Sequence, residues 1–279
     1  MYKIAFTDID GTLLGPDRTL TSATIAAVRR IKDEIPFILV SSRMPRQMYH
    51  LQKDLQGQDL PLIAYNGGYI SRQKKGLFSV EIPMEILEKI VAYNEKDPQY
   101  KVHLSLFHAD QWYVEEIDYW AKREESNTKA SPEVKSNKEV IALWKSTDVG
   151  AHKIMCMGEQ EKIQRLYDYL EETFSDQLHL YRSKDTYIEI ANKKVSKLTG
   201  IKEVLKNYYP TIELSQAVAF GDNYNDIEML KGVGLGIAVA NAREEVKEVA
   251  DQITKHHKED GVAISLQDIF NISLTSHAK

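Results

Sequence analysis

Two aspartates two residues apart, Asp8 and Asp10, follow the apolar run Ile4-Ala5-Phe6 and stand just before Gly11. A carboxylate at the end of a strand can attack phosphorus and form an aspartyl-phosphate. A second carboxyl beside it can give a proton to a leaving oxygen and take one back from water. Both groups reach the same side only if the backbone turns there, and Gly11 supplies that freedom. Taken alone, Asp-x-Asp-Gly serves equally well as a solvated turn.

A second carboxylate cluster changes the weighing. Ala217-Val218-Ala219-Phe220 runs into Gly221-Asp222-Asn223-Tyr224-Asn225-Asp226, so two more aspartates leave the end of another apolar run. Asp8 and a phosphate are both anionic, and a cation must offset their repulsion. Oxygen donors with no histidine or cysteine among them suit magnesium. In this chemistry Asp8 is the nucleophile and Asp10 carries the proton. Ser41 and the backbone N–H of Ser42 could hold phosphate oxygens. Lys197 could neutralise the charge shared by Asp8 and phosphate, although a lysine at a helix start is ordinarily a surface residue.

These residues need elements that bring them together. Four short apolar runs end abruptly in small or polar residues: Ile4–Phe6 before Asp8, Phe37–Val40 before Ser41-Ser42, Leu62–Tyr65 before Asn66-Gly67-Gly68, and Ala217–Phe220 before Gly221-Asp222. Continuous rather than alternating hydrophobicity suits strands buried on both faces of a parallel sheet. Helical patterns follow at Thr21–Lys32 and Asp226–Lys231, and alternation of strand and helix implies a doubly wound α/β fold. Ligands then bind outside the carboxyl ends of the strands, where Asp8, Ser41, Asn66 and Asp222 converge. From about Pro83 to Tyr187 the pattern becomes α+β. Helices are expected at Met84–Lys96 and Glu161–Phe174, with strands at Val102–Phe107, Trp112–Glu115, His152–Met157, Leu178–Arg182 and Tyr187–Ile190. A charge-rich stretch runs from Ala121 to Lys138, and its segment Lys122–Lys138 reads as an exposed face. The expected organisation is therefore a core domain of residues 1–82 and 188–279 with an inserted domain of residues 83–187.

Composition narrows the class. The chain has 279 residues, 43 % hydrophobic and 28 % charged, with a net charge of −5, the mix of an ordinary globular protein. A basic face for nucleic acid is not indicated, and no apolar run approaches the roughly 20 residues of a membrane span. The single cysteine, Cys156, lies in the apolar run Ile154–Met157 and reads as core. With one thiol and no leader-like segment before the first strand, a cytoplasmic protein is expected. His256-His257 reads as a solvated loop, and Trp112, Tyr113, Tyr119 and Trp120 as core of the inserted domain.

The motifs themselves resemble a known family. Asp8-Ile9-Asp10-Gly11-Thr12-Leu13-Leu14 is similar to the opening motif of the haloacid dehalogenase superfamily of aspartyl-nucleophile phosphatases. Leu39-Val40-Ser41-Ser42-Arg43-Met44-Pro45 resembles its second motif, Lys197 falls where the third is expected, and Gly221–Leu230 resembles the fourth. Ala240-Asn241-Ala242 and Glu259–Ala263 are similar to the tail of the Cof-type subgroup. The resemblance implies a Rossmann-like core with an inserted cap. It also implies Asp8 as nucleophile and Asp10 as acid/base. Magnesium would be held by the Asp8 and Asp222 carboxylates and the Asp10 backbone carbonyl, with Asp226 supporting the metal shell. Ile9 (through its backbone), Ser41, Ser42, Lys197 and Asn225 would contact phosphate. The expected substrates are small phosphate monoesters (a sugar phosphate, nucleotide or cofactor phosphate), with a phosphomutase on sugar phosphates as the alternative. The subgroup's usual Thr-Gly-Arg is Ser41-Ser42-Arg43 here, and the usual glycine after the lysine is Leu198, a change that bears on the width of the crevice.

Overall fold

The computed structural model describes residues 1–270 and divides into two compact units. The first contains Met1–Arg43, Met48–Leu77 and the described residues from Ser196 on; the second contains Met44–Gln47 and Phe78–Val195. The first unit opens with β1 (Ile4–Thr7), α1 (Ser22–Ile31), β2 (Phe37–Leu39), α2 (Tyr49–Asp54) and β3 (Pro61–Ala64). Every residue of β1, β2 and β3 is buried, as their unbroken apolar runs require. Helix α1 starts at Thr21, whose hydroxyl accepts from the Thr24 N–H, satisfying one of the donors that a helix start leaves open. Strands β4 (Tyr69–Arg72) and β5 (Lys75–Ser79) extend from β3 as a small three-stranded sheet.

The second unit continues with α3 (Met84–Glu95), β6 (His103–His108), β7 (Gln111–Val114), α4 (Tyr119–Thr128) and β8 (Glu133–Val134). It is completed by α5 (Asn137–Ser146), β9 (Lys153–Met157), α6 (Gln160–Phe174), β10 (Leu178–Lys184) and β11 (Tyr187–Asn192). Its strands form one sheet in the order β10-β11-β9-β6-β7-β8, antiparallel except for β7 with β8. Alternate strand residues (Leu104, Leu106, Ile154, Cys156, Ile188, Ile190) join Ile86 and Ile90 of α3, Trp144 of α5, and Ile163 and Leu170 of α6 in one buried cluster. Period two on the strands and 3.6 on the helices puts these residues on facing surfaces.

The structure refines the sequence expectations for this unit at three places. The boundary drawn after residue 187 moves to Val195, because Tyr187–Asn192 pairs with β10 on one side and β9 on the other. The charged stretch Ala121–Lys138 contains most of α4 and the start of α5. Its signals were the caps: Asp118 accepts from Ala121 N–H, and Ser136 with Glu139 forms a capping box. Among the aromatics, Trp112 and Tyr113 are core, whereas Tyr119 is 68 % exposed because it is the first residue of α4.

The chain returns to the first unit with α7 (Lys197–Tyr208), β12 (Ala217–Gly221), α8 (Ile227–Gly232), β13 (Leu235–Val239), α9 (Glu244–Lys247), β14 (Gln252–Thr254) and α10 (Gly261–Ile269). The central sheet runs β14-β13-β12-β1-β2, all parallel, and a parallel bridge from Val40 to Ile63 adds β3 beside β2. From β1 the order proceeds to β2 on one side and to β12 on the other. That reversal makes the gap beyond the carboxyl ends of β1 and β12 the switch point, where such sheets bind ligands. Asp8 and Asp222 are the residues that leave those two ends. No helix among the described residues is long and apolar enough to cross a membrane.

In the second unit, Glu81, His108 and His152 offer ligand atoms within 4.8 Å of one another. The hydrogen bonds define what they do. The Ala109 N–H donates to His152 Nδ1 (3.1 Å), so Nε2 carries the proton and faces the Ser79 hydroxyl at 2.9 Å. That hydroxyl donates to Glu81 Oε1 (2.6 Å). A metal on Nε2 would force a proton onto Nδ1 against the Ala109 N–H, so the network suits a neutral imidazole; the tautomer is assigned from these partners. Burial, with the neighbouring His108, holds the His152 pKa well below its ordinary 6.5. The unfolded chain therefore binds this proton more readily, and the stability contributed by neutral His152 is lost as pH falls below about 6.5. The thermal midpoint of the parent should drop on going from pH 7.5 to 5 by at least about 2 °C more than that of His152→Gln. Equal pH dependence in the two proteins contradicts the assignment.

Candidate active site

Asp8 leaves β1 with its N–H donated to Phe220 O of β12 (2.9 Å), so the sheet ladder fixes its backbone. Its carboxylate Oδ1 accepts from Lys197 Nζ at 2.5 Å. Lys197 is the first residue of α7, and its side chain is fully buried. The helix start is held by reciprocal bonds between Ser196 and Thr199, a capping box with Thr in the third position. Lys197 is thereby aimed inward rather than at solvent, so the surface reading of this lysine does not hold. Nζ also donates to Asp226 Oδ1 at 2.6 Å.

Asp226 closes the turn after β12. Its second oxygen accepts from the N–H groups of Asp222 (2.9 Å) and Asn223 (3.0 Å), so it is committed on both sides. Asp222 accepts from the Thr12 hydroxyl at Oδ1 (2.9 Å), and its carbonyl accepts from Arg243 N–H. Gly11 has φ +84°, and a Cβ there would run into the Asp222 carboxylate. Glycine at this position is thus needed twice, for its backbone and for the approach of the two loops. Asn241 Nδ2 donates to Gly11 O, and His257 donates its N–H to Asn241 Oδ1 while its ring meets Leu14 O. The His256-His257 loop is therefore a clamp on the segment after Asp8 rather than simply solvated.

Asp8, Asp222 and Asp226 place carboxylate oxygens within 4.8 Å of one another, and the ammonium of Lys197 leaves two of their negative charges uncompensated. Burial first, then repulsion from Asp226, pushes the Asp222 pKa up to about 6. For Lys197, burial favours the neutral amine, but Asp226 and Asp8 outweigh it, and the ammonium is held more firmly than usual. A compact set of hard oxygen donors with excess negative charge fits a divalent cation.

The Asp10 carboxylate lies outside this cluster. Arg43 grips it at two points, Nε to Oδ2 and Nη2 to Oδ1, both 2.7 Å, and Arg18 Nη2 adds a bond to Oδ1 at 3.0 Å. Burial would raise the Asp10 pKa, but the hydrogen bonds and charge of Arg43, with the charge of Arg18, outweigh it and bring it below its ordinary value. Ser41 is buried and accepts at Oγ from the Arg43 N–H (3.2 Å); Ser42 is half-buried beside it. Asn225 Nδ2 donates to Asn66 Oδ1 (2.9 Å). The Ile9 side chain is buried and its carbonyl accepts from Leu13 and Leu14 N–H. Leu198 packs against Gly232 of α8, so part of its bulk is taken up there. Arg43, Arg18, Thr12, Asn66 and Asn241 are the site residues to which the motif reading assigned no role. Arg43 and Asn66 stood at strand ends in the sequence, whereas nothing local singled out Arg18.

Comparison with known proteins bears on this arrangement. A family model described as haloacid dehalogenase-like hydrolase matches residues 5–266. A Haemophilus influenzae protein with a provisional phosphatase name is 31 % identical over 97 % of this chain and 99 % of its own. The 5-amino-6-(5-phospho-D-ribitylamino)uracil phosphatase of Bacillus subtilis is 27 % identical over 97 % of this chain and 98 % of its own. Among solved structures, a Thermotoga maritima protein superposes with a TM-score of 0.85 at 26 % identity, covering 98 % of each chain.

Replacing Lys197 with methionine removes the shared cation and leaves Asp8 and Asp226 buried. Breaking one side of such an ion pair typically costs about 3–5 kcal/mol. Without divalent cations, Lys197→Met should therefore melt roughly 5–15 °C below the parent in a thermal scan. A midpoint within about 2 °C of the parent would mean that the ammonium does not hold these segments together.

Proposed function

Because the chain belongs to the haloacid dehalogenase-like hydrolase family and is a phosphatase of that family, we propose that it is a magnesium-dependent enzyme hydrolysing small phosphate monoesters through an aspartyl-phosphate on Asp8. The observation that carries this reading is the buried Lys197 bridge, which presents Asp8 at the switch point beside Asp222. Magnesium held by the Asp8 and Asp222 carboxylates and the Asp10 carbonyl, backed by Asp226, would offset the repulsion between the Asp8 carboxylate and a phosphate dianion.

An Asp8 oxygen attacks phosphorus, and the bond to the ester oxygen breaks as Asp10 delivers a proton to it. Water then attacks the phosphorus of the aspartyl-phosphate, Asp10 takes its proton, and the Asp8 carboxylate is released with inorganic phosphate. Lys197 offsets the negative charge of the Asp8 carboxylate before attack and again after its release, and the charge of the phosphoryl group between. Arg43 and Arg18 favour Asp10 as the carboxylate, the form needed to accept a proton from water; an adjacent substrate dianion counters their pull and favours the acid. Ser41, the Ser42 N–H, the Ile9 backbone and Asn225 hold the phosphoryl oxygens. The substrate is a small phosphorylated metabolite of the cytoplasm, and phosphorylated ribityl compounds belong in the first panel because one relative is named for such a substrate. The comparisons lend no support to the phosphomutase alternative.

Asp8→Asn should cut phosphate release from every ester tested by at least about a thousandfold. Turnover retained within about tenfold, some 1.4 kcal/mol of barrier, removes Asp8 as nucleophile. Chelation with EDTA should stop the parent enzyme, and magnesium should restore it.

Arg43→Lys cannot reproduce the two-point grip on Asp10. Sugar phosphates, whose alkoxide must be protonated to leave, should lose about 10–100-fold in kcat/KM, a part of the roughly 10²–10⁴-fold that general acid catalysis supplies. p-Nitrophenyl phosphate, whose leaving group needs little proton assistance, should lose less than about threefold on the same grounds. Equal losses on both substrates would disconnect Arg43 from the proton transfer.

A further inference from the structure

Three consecutive residues after β3 adopt left-handed backbone angles: Tyr65 (φ +51°), Asn66 (φ +56°) and Gly67 (φ +101°). Asparagine tolerates this region better than most residues, and a bulky tyrosine tolerates it poorly. Residues held in such sparsely populated regions cost about 1–3 kcal/mol each and persist only where the surroundings over-determine them. The surroundings here do so. Tyr65 and Asn66 are 1 % and 2 % exposed. The Tyr65 N–H donates to Arg43 O (3.2 Å), and the Asn66 N–H donates to Ser41 O (2.9 Å). A Cβ on Gly67 would collide with the carbonyl of Ser196, the cap of α7. The turn thus touches the segments that carry Ser41, Arg43 and Lys197.

The Asn66 side chain reaches a fourth segment, through the bond from Asn225 Nδ2 to Asn66 Oδ1 at 2.9 Å. Glycine would adopt the same backbone angles without steric cost, so the backbone alone does not explain an asparagine here. The acceptor does. With one N–H of the Asn225 amide committed to Asn66, its rotation is fixed and its second N–H has a defined direction.

We propose that Asn66 is a positioning residue for phosphoryl transfer, orienting the Asn225 amide toward the phosphoryl group. The inference rests on the phosphatase reading above and names a residue through which that site is assembled. Asn66 has no bond-making role; it acts by removing rotational freedom from a donor before substrate arrives.

Asn66→Gly separates the two roles of the residue, since it keeps the left-handed backbone and deletes the acceptor. The parent, Asn66→Gly, Asn225→Ala and the double variant are compared for hydrolysis of p-nitrophenyl phosphate and for thermal midpoint. The single Asn66→Gly change should lower kcat/KM by about tenfold or more, the scale of one lost polar contact, with a midpoint within about 3 °C of the parent. In the Asn225→Ala background the same change should cost less than about threefold, because coupled residues are non-additive. Unchanged kcat/KM in Asn66→Gly, or losses that multiply independently in the double variant, overturn the proposal. Failure of Asn66→Gly to fold also overturns it, since glycine relieves strain there and unfolding would make the side chain structural. If the parent itself releases no phosphate from any ester, the phosphatase reading falls and takes this inference with it; an active parent with an indifferent Asn66→Gly sinks the inference alone.

Discussion

One ammonium group joins the parts of the first unit that the chemistry needs. Lys197 enters at the start of α7, is fully buried, and binds Asp8 from the end of β1 and Asp226 from the turn after β12. Burying a charge without partners is prohibitively expensive, so each of the three residues makes the other two tolerable in that position. The capping box at Ser196 and Thr199 sets the direction of the lysine. The two loop N–H groups that bind Asp226 set the direction of the carboxylate. Removing any one of these supports leaves a buried ion, and the strand ends lose their common anchor.

The remaining charges sort into two compartments. Asp8, Asp222 and Asp226 crowd together with more negative charge than Lys197 offsets, and burial, followed by repulsion from Asp226, raises the Asp222 pKa to about 6. Asp10, only two residues from Asp8, sits between Arg43 and Arg18 and shifts the other way. Two sets of carboxylates pushed apart by their surroundings can take different tasks: one for phosphorus and a cation, the other for the proton. Gly11 makes this division possible, since its left-handed backbone turns the chain between the two compartments and lets the Asp222 loop come close.

Much of this was legible in the sequence, for definable reasons. Strands buried on both faces have no option but continuous apolar runs, so β1, β2, β3 and β12 announced themselves, and their abrupt polar ends marked the crevice. Asp8, Lys197, Asp222 and Asp226 were named from motif spacing and do meet. What escaped depended on tertiary contact. Arginines are common on surfaces, and nothing in the neighbourhood of Arg18 says that it will fold back on Asp10. The strain at Tyr65-Asn66 is invisible in residue types, because asparagine also occurs in relaxed loops. Helix α4 was hidden in charge, with Ala121 and Thr128 its buried residues, so its sequence lacks an apolar stripe. The Tyr187–Ile190 strand was read with the α+β region, yet the boundary was drawn at its first residue; pairing with β9 and β10 carries the second unit past its end.

The proposed mechanism turns on whether Asp8 becomes covalently phosphorylated during turnover. Quenching the enzyme with a hydrolysable phosphate ester in acid, then reducing with borohydride, converts an aspartyl-phosphate into homoserine, which peptide mass spectrometry locates by residue. Homoserine is expected at position 8, with intact aspartate at positions 10, 222 and 226. Sustained phosphate release with Asp8 unreduced, or homoserine at another of these positions, would contradict that mechanism.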